Sequence, residues 1–313
     1  MLAIVAPGQG AQTPGFLAPW LEDSALSQQL EALSEVSEID LAHYGTEADA
    51  ETIRDTAIAQ PLLVASALLT GRALLGGDVS QVGAFAGHSV GELAAMALAG
   101  VISDDDALVL VRERGRAMAE ASALRPTSMT AVLAGRPEEV LAAIDEAGLT
   151  PANNNGAGQI VAAGTVEQLA AFAENPPRRA RLVPLSVAGA FHTVHMEPAV
   201  AHLTEVANGV ETHIPVVRLL SNADGAVVGT GEDALARMVN QVANPVRWDL
   251  CMNTLASLGV TGLLELAPAG TLTKIAQRNL KGVESFNLNT PDQLDEARAF
   301  VASHAAAPQP EQE

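Results

Sequence analysis

The chain has 313 residues, of which 48% are hydrophobic and 17% are charged, and its formal net charge is −20. This length allows one large domain or two modest ones, with the residue balance of an ordinary globular protein. The negative charge argues against nucleic acid as a partner, because phosphate binding needs a basic surface.

Cysteine content and hydropathy indicate where such a chain works. Cys251 is the single cysteine, which excludes an internal disulfide framework and fits a reducing compartment. The apolar opening is too short for a signal peptide, and we expect no run of the roughly eighteen apolar residues that a membrane span needs. We therefore expect a soluble, cytoplasmic protein with no membrane partner and with Cys251 buried.

Short apolar runs alternate with helical patterns in the first part of the chain. Strands are predicted at 2–6 and 82–87, and helical patterns lie at 61–75, 91–101 and 105–121. This alternation is typical of an α/β protein with a mostly parallel sheet. Ser103, followed by aspartates, is predicted to begin the third helix.

The middle of the chain has a different pattern, in the order strand, helix, strand, strand, helix, strand. The strands are predicted at 128–135, 150–154, 158–164 and 180–189, and the helices at 137–148 and 165–174. This order is ferredoxin-like, and we expect a small inserted domain over 127–189.

After the insertion, helices are predicted at 195–208 and 231–243, followed by an apolar strand at 259–268. The large domain would then combine 1–126 with 190–305, with a cleft where the two domains meet. Residues 306–313 are predicted to be a disordered tail.

The stretch AFAGHSVGELAA (84–95) holds a serine, Ser89, between two glycines. Strand, Gly-x-Ser-x-Gly, helix is the layout of a nucleophile elbow, although the motif alone fits an ordinary turn equally well. In an elbow, we expect the amides of Ser89 and Val90 to point outward and stabilise an oxyanion.

A serine hydroxyl needs a base, and the chain has seven histidines. His88 adjoins the serine and is predicted to support the elbow. The segment GAFHTVHM offers His192 and His195 where the chain returns to the large domain, and His192 is the predicted base. This His-x-x-His pair lacks further ligands at zinc-like spacing, so no metal site is expected.

The loop APGQGAQ (6–12) follows the first predicted strand. It lacks the lysine and spacing of a phosphate-binding loop. The Gln9 amide is a candidate second oxyanion donor at the carboxyl end of that strand, and an ordinary tight turn fits the same residues.

Six motifs occur in order across residues 1 to about 300: APGQGAQ, GHSVGEL, RERGRAM, NNNGAGQIVAAG, GAFH and QVANPVRW. Together they resemble the malonyl-CoA:acyl carrier protein transacylases of type II fatty acid or polyketide synthesis, particularly the actinobacterial form. The resemblance implies an α/β-hydrolase-like large domain. It also implies that Ser89 accepts a malonyl group from malonyl-CoA and passes it to the phosphopantetheine thiol of holo acyl carrier protein, without a cofactor.

The resemblance also implies roles for matching positions. His192 would be the general base, and the amides of Gln9 and Val90 would form the oxyanion hole. Arg114 would pair with the malonyl carboxylate, and the backbone carbonyl of Gln241 would orient the histidine. An arginine fork suits a buried carboxylate, and the spacing of Arg114 from its two neighbouring arginines allows it to face inward.

Three pocket residues complete the implied site. Phe191 resembles the malonyl-selective type, since its ring would occupy the space that an α-methyl group needs, although ordinary core packing explains it too. Asn153 and Asn155 are candidate pocket residues, although the family often has Ser-Pro where this chain has Gly156 and Ala157.

The carrier protein is typically acidic, so we expect it to dock on a local basic patch. Two candidate patches lie at the cleft rim: Arg178, Arg179 and Arg181, or Lys274, Arg278 and Lys281. A monomer is expected, since no heptad run is visible. The alternatives are a serine hydrolase, which has no use for a buried cation beside its acyl pocket, and a non-catalytic carrier-protein binder.

Overall fold

The computed structural model describes residues 1–156, 158–187 and 189–305. Within them, a five-stranded sheet has the spatial order β10-β9-β1-β2-β7, with every neighbouring pair parallel. Its strands are β1 (Leu2–Ala6), β2 (Val82–Gly87), β7 (Arg218–Leu219), β9 (Gly262–Glu265) and β10 (Glu284–Asn287). The predicted α/β fold with a mostly parallel sheet is confirmed.

Twelve α-helices lie in the described part of the chain. They are α1 (Ser24–Ser37), α2 (Leu41–Thr46), α3 (Thr56–Leu75), α4 (Gly91–Leu98), α5 (Asp104–Ala123), α6 (Pro137–Glu146), α7 (Val166–Glu174), α8 (Glu197–Ala207), α9 (Gly231–Gln241), α10 (Trp248–Ser257), α11 (Leu272–Asn279) and α12 (Leu294–Ser303). As predicted, Ser103 caps α5, and its side chain accepts the N–H of Asp106.

Helix α3 runs through the main hydrophobic core. The expectation that no run reaches the length of a membrane span is wrong here, because α3 is long and apolar enough by length and composition. However, 78% of an apolar 18-residue stretch of this helix is buried inside the protein. A helix that is apolar on all sides is also typical of the core of a globular protein.

A second sheet forms over the middle of the chain from β3 (Thr127–Ala134), β4 (Thr150–Asn154), β5 (Gln159–Thr165) and β6 (Ala180–Pro184). Their order is β6-β3-β5-β4, and all neighbours are antiparallel. A two-residue strand from later in the chain, β8 (Val246–Arg247), pairs in parallel with β4. Strand β6 is shorter than predicted: its pairing with β3 ends with Pro184 opposite Thr130, and beyond it the N–H of Leu185 donates to the carbonyl of Met129 at 2.9 Å.

Sheet topology brings the predicted site residues together. Strands β1 and β2 are parallel neighbours, with Ala6 opposite Gly87. Since parallel strands end at one edge of a sheet, the Gln9 loop and the Ser89 turn are adjacent. The second sheet lies opposite this edge and closes a cleft. Residues 306–313, predicted as a disordered tail, lie outside the described residues.

Candidate active site

The turn that carries Ser89 depends on its two glycines. A Cβ at Gly87 would lie 2.0 Å from the carbonyl carbon of Gly91, and a Cβ at Gly91 would lie 2.4 Å from the carbonyl oxygen of Ala6. Ser89 itself has φ 52°, in the left-handed region that side chains other than glycine rarely adopt. Backbone of this kind is concentrated at functional sites, where the surrounding structure maintains it.

His192 lies against this serine, as the sequence predicts. Its Nε2 is 2.7 Å from Ser89 Oγ, and its Nδ1 is 2.7 Å from the carbonyl oxygen of Gln241. A carbonyl only accepts, so Nδ1 carries the proton and Nε2 is free to receive one from the serine. Burial, with the nearby charge of Arg114, lowers the pKa of His192 to about 3, and the imidazole is therefore neutral near pH 7.

The predicted oxyanion donors line the cleft beside the serine. Within the described residues, the backbone amides of Gln9 and Val90 donate to no protein acceptor, which leaves them open to a ligand. The expectation for the amide of Ser89 is wrong, because this N–H donates to Asn222 Oδ1 at 2.8 Å. An amide already bonded in this way is not free for an oxyanion.

Arg114 is a buried cation with uncharged hydrogen-bond partners. Its side chain projects from α5, and the residue is 1% exposed. Nη1 donates to Gln60 Oε1 at 2.6 Å, and Nη2 donates to Gln241 Oε1 at 2.8 Å and to Ser89 Oγ at 3.4 Å. Burial lowers the pKa of Arg114 to about 10, so the guanidinium keeps its charge at neutral pH.

The two neighbouring arginines of α5 have a different environment. Arg112 and Arg116 both form ion pairs with Glu38, at 2.8 and 3.6 Å. The inward direction that the helical spacing allows for Arg114 is therefore the one it takes. Its partners in the site are neutral oxygens, which a substrate carboxylate can displace because charge-assisted hydrogen bonds are stronger.

The other histidines of the two motifs lie outside the serine's reach. His88 Nε2 is 2.9 Å from Asn155 Oδ1, and its ring packs edge-on against Trp248 with centroids 5.5 Å apart. His195 is only partly buried, in a short 3₁₀ turn. Among the described residues, no group of three or more His, Cys, Asp or Glu is arranged to hold a metal ion.

The cleft above Ser89 has a volume of about 260 Å³. Phe191, Asn153 and Asn155 all line it, as predicted, together with apolar residues of the second sheet. Phe191 is 6% exposed and lies directly before the histidine. The Asn155 amide is bonded to His88, so it supports the elbow as well as the wall of the cleft.

Helix α11 forms another wall, through Leu272 and Ile275. Its position is fixed by Glu265, a fully buried carboxylate at the end of β9. This carboxylate accepts backbone N–H groups at the start of α11, at 2.8 to 3.3 Å, from Gly270, Thr271, Leu272 and Thr273. A carboxylate at a helix N-terminus satisfies amides that have no partner within the helix.

Three polar residues of the site were missed by the sequence analysis: Gln60, Glu92 and Asn222. Glu92 is 4% exposed, and burial raises its pKa to about 7. The sequence did contain a signal for Glu92. Its neighbours in GELAAM are apolar, which predicts a buried segment, and a glutamate is rarely buried without a partner. Asn222 follows the two-residue strand β7, and Gln60 lies on a helix that is buried all round, so neither had a readable pattern.

Comparisons with known proteins agree with this geometry. Residues 4–304 match the family described as "Acyl transferase domain". The chain is 48% identical over 302 residues to the malonyl CoA-acyl carrier protein transacylase of Mycobacterium tuberculosis, covering 95% of this chain and 99% of that one. It is 30% identical over 303 residues to the same-named protein of Bacillus subtilis, covering 94% and 95%.

Solved structures give the same result. The crystal structure of MCAT from M. tuberculosis superposes with a TM-score of 0.91 at 48% identity, covering 95% of this chain and 99% of that chain. A malonyl-transacylase in complex with a type II PKS acyl-carrier protein superposes with a TM-score of 0.88 at 30% identity, covering 95% and 99%. The family resemblance inferred from the six motifs is therefore confirmed, and the chain belongs to the acyl transferase domain family.

Proposed function

We propose that this protein moves a malonyl group from malonyl-CoA to the phosphopantetheine thiol of holo acyl carrier protein. The observation that carries the proposal is the buried guanidinium of Arg114, 3.4 Å from the hydroxyl of Ser89. Malonyl differs from acetyl by one carboxylate, which an arginine fork binds well. The names of the similar proteins from M. tuberculosis and B. subtilis support the same substrate and acceptor.

In the first half-reaction, Ser89 Oγ attacks the thioester carbonyl carbon while His192 Nε2 takes the hydroxyl proton. The negative charge that forms on the carbonyl oxygen is stabilised by the amides of Gln9 and Val90. The carbon–sulfur bond then breaks, and the proton on His192 goes to the sulfur of coenzyme A. The product is a malonyl ester on Ser89.

In the second half-reaction, the phosphopantetheine thiol of the carrier protein enters the same cleft. His192 takes the thiol proton, the sulfur attacks the ester carbon, and the bond to Ser89 Oγ breaks. His192 then returns the proton to the serine oxygen. The carbonyl of Gln241 orients the histidine throughout, at 2.7 Å from Nδ1.

The experiment that tests this proposal is the intact mass of the protein after brief incubation with malonyl-CoA or acetyl-CoA. We expect a malonyl adduct on the wild type, none on Ser89→Ala, little adduct from acetyl-CoA, and transfer to holo carrier protein when it is added. An adduct that is discharged only to water would favour a serine hydrolase. Absence of any adduct would favour a non-catalytic binder of the carrier protein.

We further infer that the carrier protein docks beside α11. Lys274 and Arg278 lie exposed on this helix and Lys281 follows it, while Leu272 and Ile275 of the same helix line the cleft. Among the described residues, these three cations form no ion pair within the chain. A positive rim can attract an acidic partner even though the whole chain carries −20. The second candidate patch, Arg178, Arg179 and Arg181, stays an alternative, and Arg181 lies on β6 at the edge of the second sheet.

We also propose the domain division that the sequence suggests. The antiparallel order β6-β3-β5-β4, with helices α6 and α7 between its strands, supports a ferredoxin-like insertion over 127–189. The nucleophile turn after β2 supports a hydrolase-like large part over 1–126 and 190–305. A soluble, cytoplasmic monomer that needs no cofactor fits this enzyme, and its mass in solution would test the oligomeric state.

A further inference from the structure

The carboxyl group of Glu92 takes no part in the reaction described above, yet it lies buried beside the nucleophile. Glu92 is in the first turn of α4, three residues after Ser89. Its Oε1 accepts the backbone N–H of Asn222 at 2.6 Å, and its Oε2 accepts from Nε2 of Gln241. Both oxygens therefore accept from N–H donors, an arrangement that favours the ionised carboxylate and opposes the effect of burial.

The first of these two partners, Asn222, fixes the backbone of the elbow. Its Oδ1 accepts the N–H of Ser89 at 2.8 Å, and its Nδ2 donates to the carbonyl of Gly87 at 2.8 Å. One side chain thus holds the backbone on both sides of the turn. Glu92 accepts from the main chain of Asn222, and Asn222 in turn accepts from the N–H of Ser89. Glu92 therefore supports the left-handed backbone of Ser89 through one intervening residue.

The second partner, Gln241, fixes the base. Its backbone carbonyl accepts from His192 Nδ1 at 2.7 Å, and its side-chain Nε2 also donates to the carbonyl of Ser89 at 3.1 Å. The anchor of this side chain is the carboxylate of Glu92. A shift of Gln241 would therefore move the acceptor that sets the tautomer and direction of the imidazole.

Gln241 also separates the two buried charges of the site. Its Oε1 accepts from Arg114 and its Nε2 donates to Glu92, so one amide links a cation to an anion. A direct ion pair would occupy the guanidinium with a carboxylate that a substrate could not easily displace. Through the amide, the charge of Arg114 is balanced while its nearest partners stay neutral.

We propose that Glu92 is a positioning residue for malonyl transfer, because its carboxylate holds Asn222 and Gln241 and, through them, the Ser89–His192 pair. The inference rests on the proposed function. In Glu92→Gln, size is retained but one oxygen becomes an NH₂ group. Either the N–H of Asn222 or Nε2 of Gln241 would then face a donor, and that contact would break.

The test compares wild type with Glu92→Gln in the rate of malonyl loading, followed by intact mass over a range of malonyl-CoA concentrations. A loosened base and nucleophile should lower the maximal rate by about tenfold to a hundredfold. The concentration for half-maximal rate should change less than the maximal rate, since Arg114 is retained and keeps its hydrogen bond to Gln60. All molecules should still become loaded, because a misplaced site is slow, whereas a misfolded fraction never reacts.

The matched control is Ser66→Ala, which removes a different buried hydrogen bond, from Ser66 Oγ to the carbonyl of Ala267 at 2.9 Å. We expect it to load at the wild-type rate. A wild-type rate for Glu92→Gln, or incomplete loading at a wild-type rate, would overturn the positioning role. If wild-type protein itself took no malonyl group, the proposed function would fail first, so the two failures are distinguishable.

Discussion

Arg114 offers the sharpest test of how the site recognises its substrate. The residue is 1% exposed, its pKa is about 10, and its guanidinium is 3.4 Å from Ser89 Oγ. A malonyl group on that serine would therefore place its carboxylate against a charged, desolvated fork. The substitution Arg114→Met removes the charge while keeping an unbranched chain at the same position on α5.

The expected loss follows from the burial. Removing one partner of a buried charge pair costs about 3–5 kcal/mol, because the other charge is left uncompensated. At about 1.4 kcal/mol for each factor of ten, kcat/KM for malonyl loading should fall by about two to three and a half powers of ten. Acetyl-CoA has no carboxylate, so its slow loading should change by less than about tenfold.

The assay measures kcat/KM for loading with malonyl-CoA and with acetyl-CoA on the same variant. Arg116→Met is the matched control, since Arg116 is on the same helix and pairs at the surface with Glu38. It should leave both rates at wild-type values, as exposed ion pairs contribute little. Equal losses for malonyl and acetyl in Arg114→Met would refute the reasoning, since they would indicate damage to the Ser89–His192 pair.

Three further predictions concern the rim, the base and the wall of the cleft. Phe191→Ser should raise methylmalonyl loading relative to malonyl in a competition followed by intact mass, because the ring no longer fills the α-methyl space; an unchanged ratio would contradict this. Reversing charge with Lys274→Glu and Arg278→Glu should slow transfer to carrier protein at low salt and spare loading from coenzyme A; equal slowing of both steps would argue against docking beside α11. Burial lowers the pKa of His192 from 6.5 to about 3. As the pH drops below 6.5, the unfolded chain therefore takes up a proton on this histidine while the folded chain does not, and the free energy of unfolding should fall. Thermal melts of His192→Asn should show a smaller loss on acidification, and parallel curves for variant and wild type would count against the buried neutral imidazole.

The parts of the fold that were predictable are those with local causes. Gly87 is required by a contact within its own turn, with Gly91, and the start of α5 is set by its own cap and first-turn aspartates. Gly91 is different, because its close contact is with Ala6 on β1. The order of strands and helices over 127–189 was also readable, since each element has its own periodicity. Short strands such as β8 have no such pattern, because two residues cannot show a period.

Site residues that belong to a sequence motif could be predicted. Site residues that only the fold brings close to Ser89 could not. Arg114 and Gln241 came from the family resemblance, since nothing in their spacing fixes a distance to Ser89. Asn222 comes from a loop 133 residues away in sequence, and it takes the Ser89 amide that local reasoning had assigned to the oxyanion. A backbone N–H can be assigned to a ligand only when all competing acceptors are known.

The anchoring of α11 by Glu265 has a consequence for which sequence changes this wall of the cleft can accept during evolution. The carboxylate binds four backbone N–H groups, from residues 270 to 273, and backbone groups are the same whatever side chain the residue carries. Outside Gly270, whose φ of 130° favours glycine, substitutions in this loop can therefore alter its side chains without displacing the helix. The position of the helix depends on one side chain, Glu265, so the side chains along this wall of the cleft can vary while its backbone stays in place.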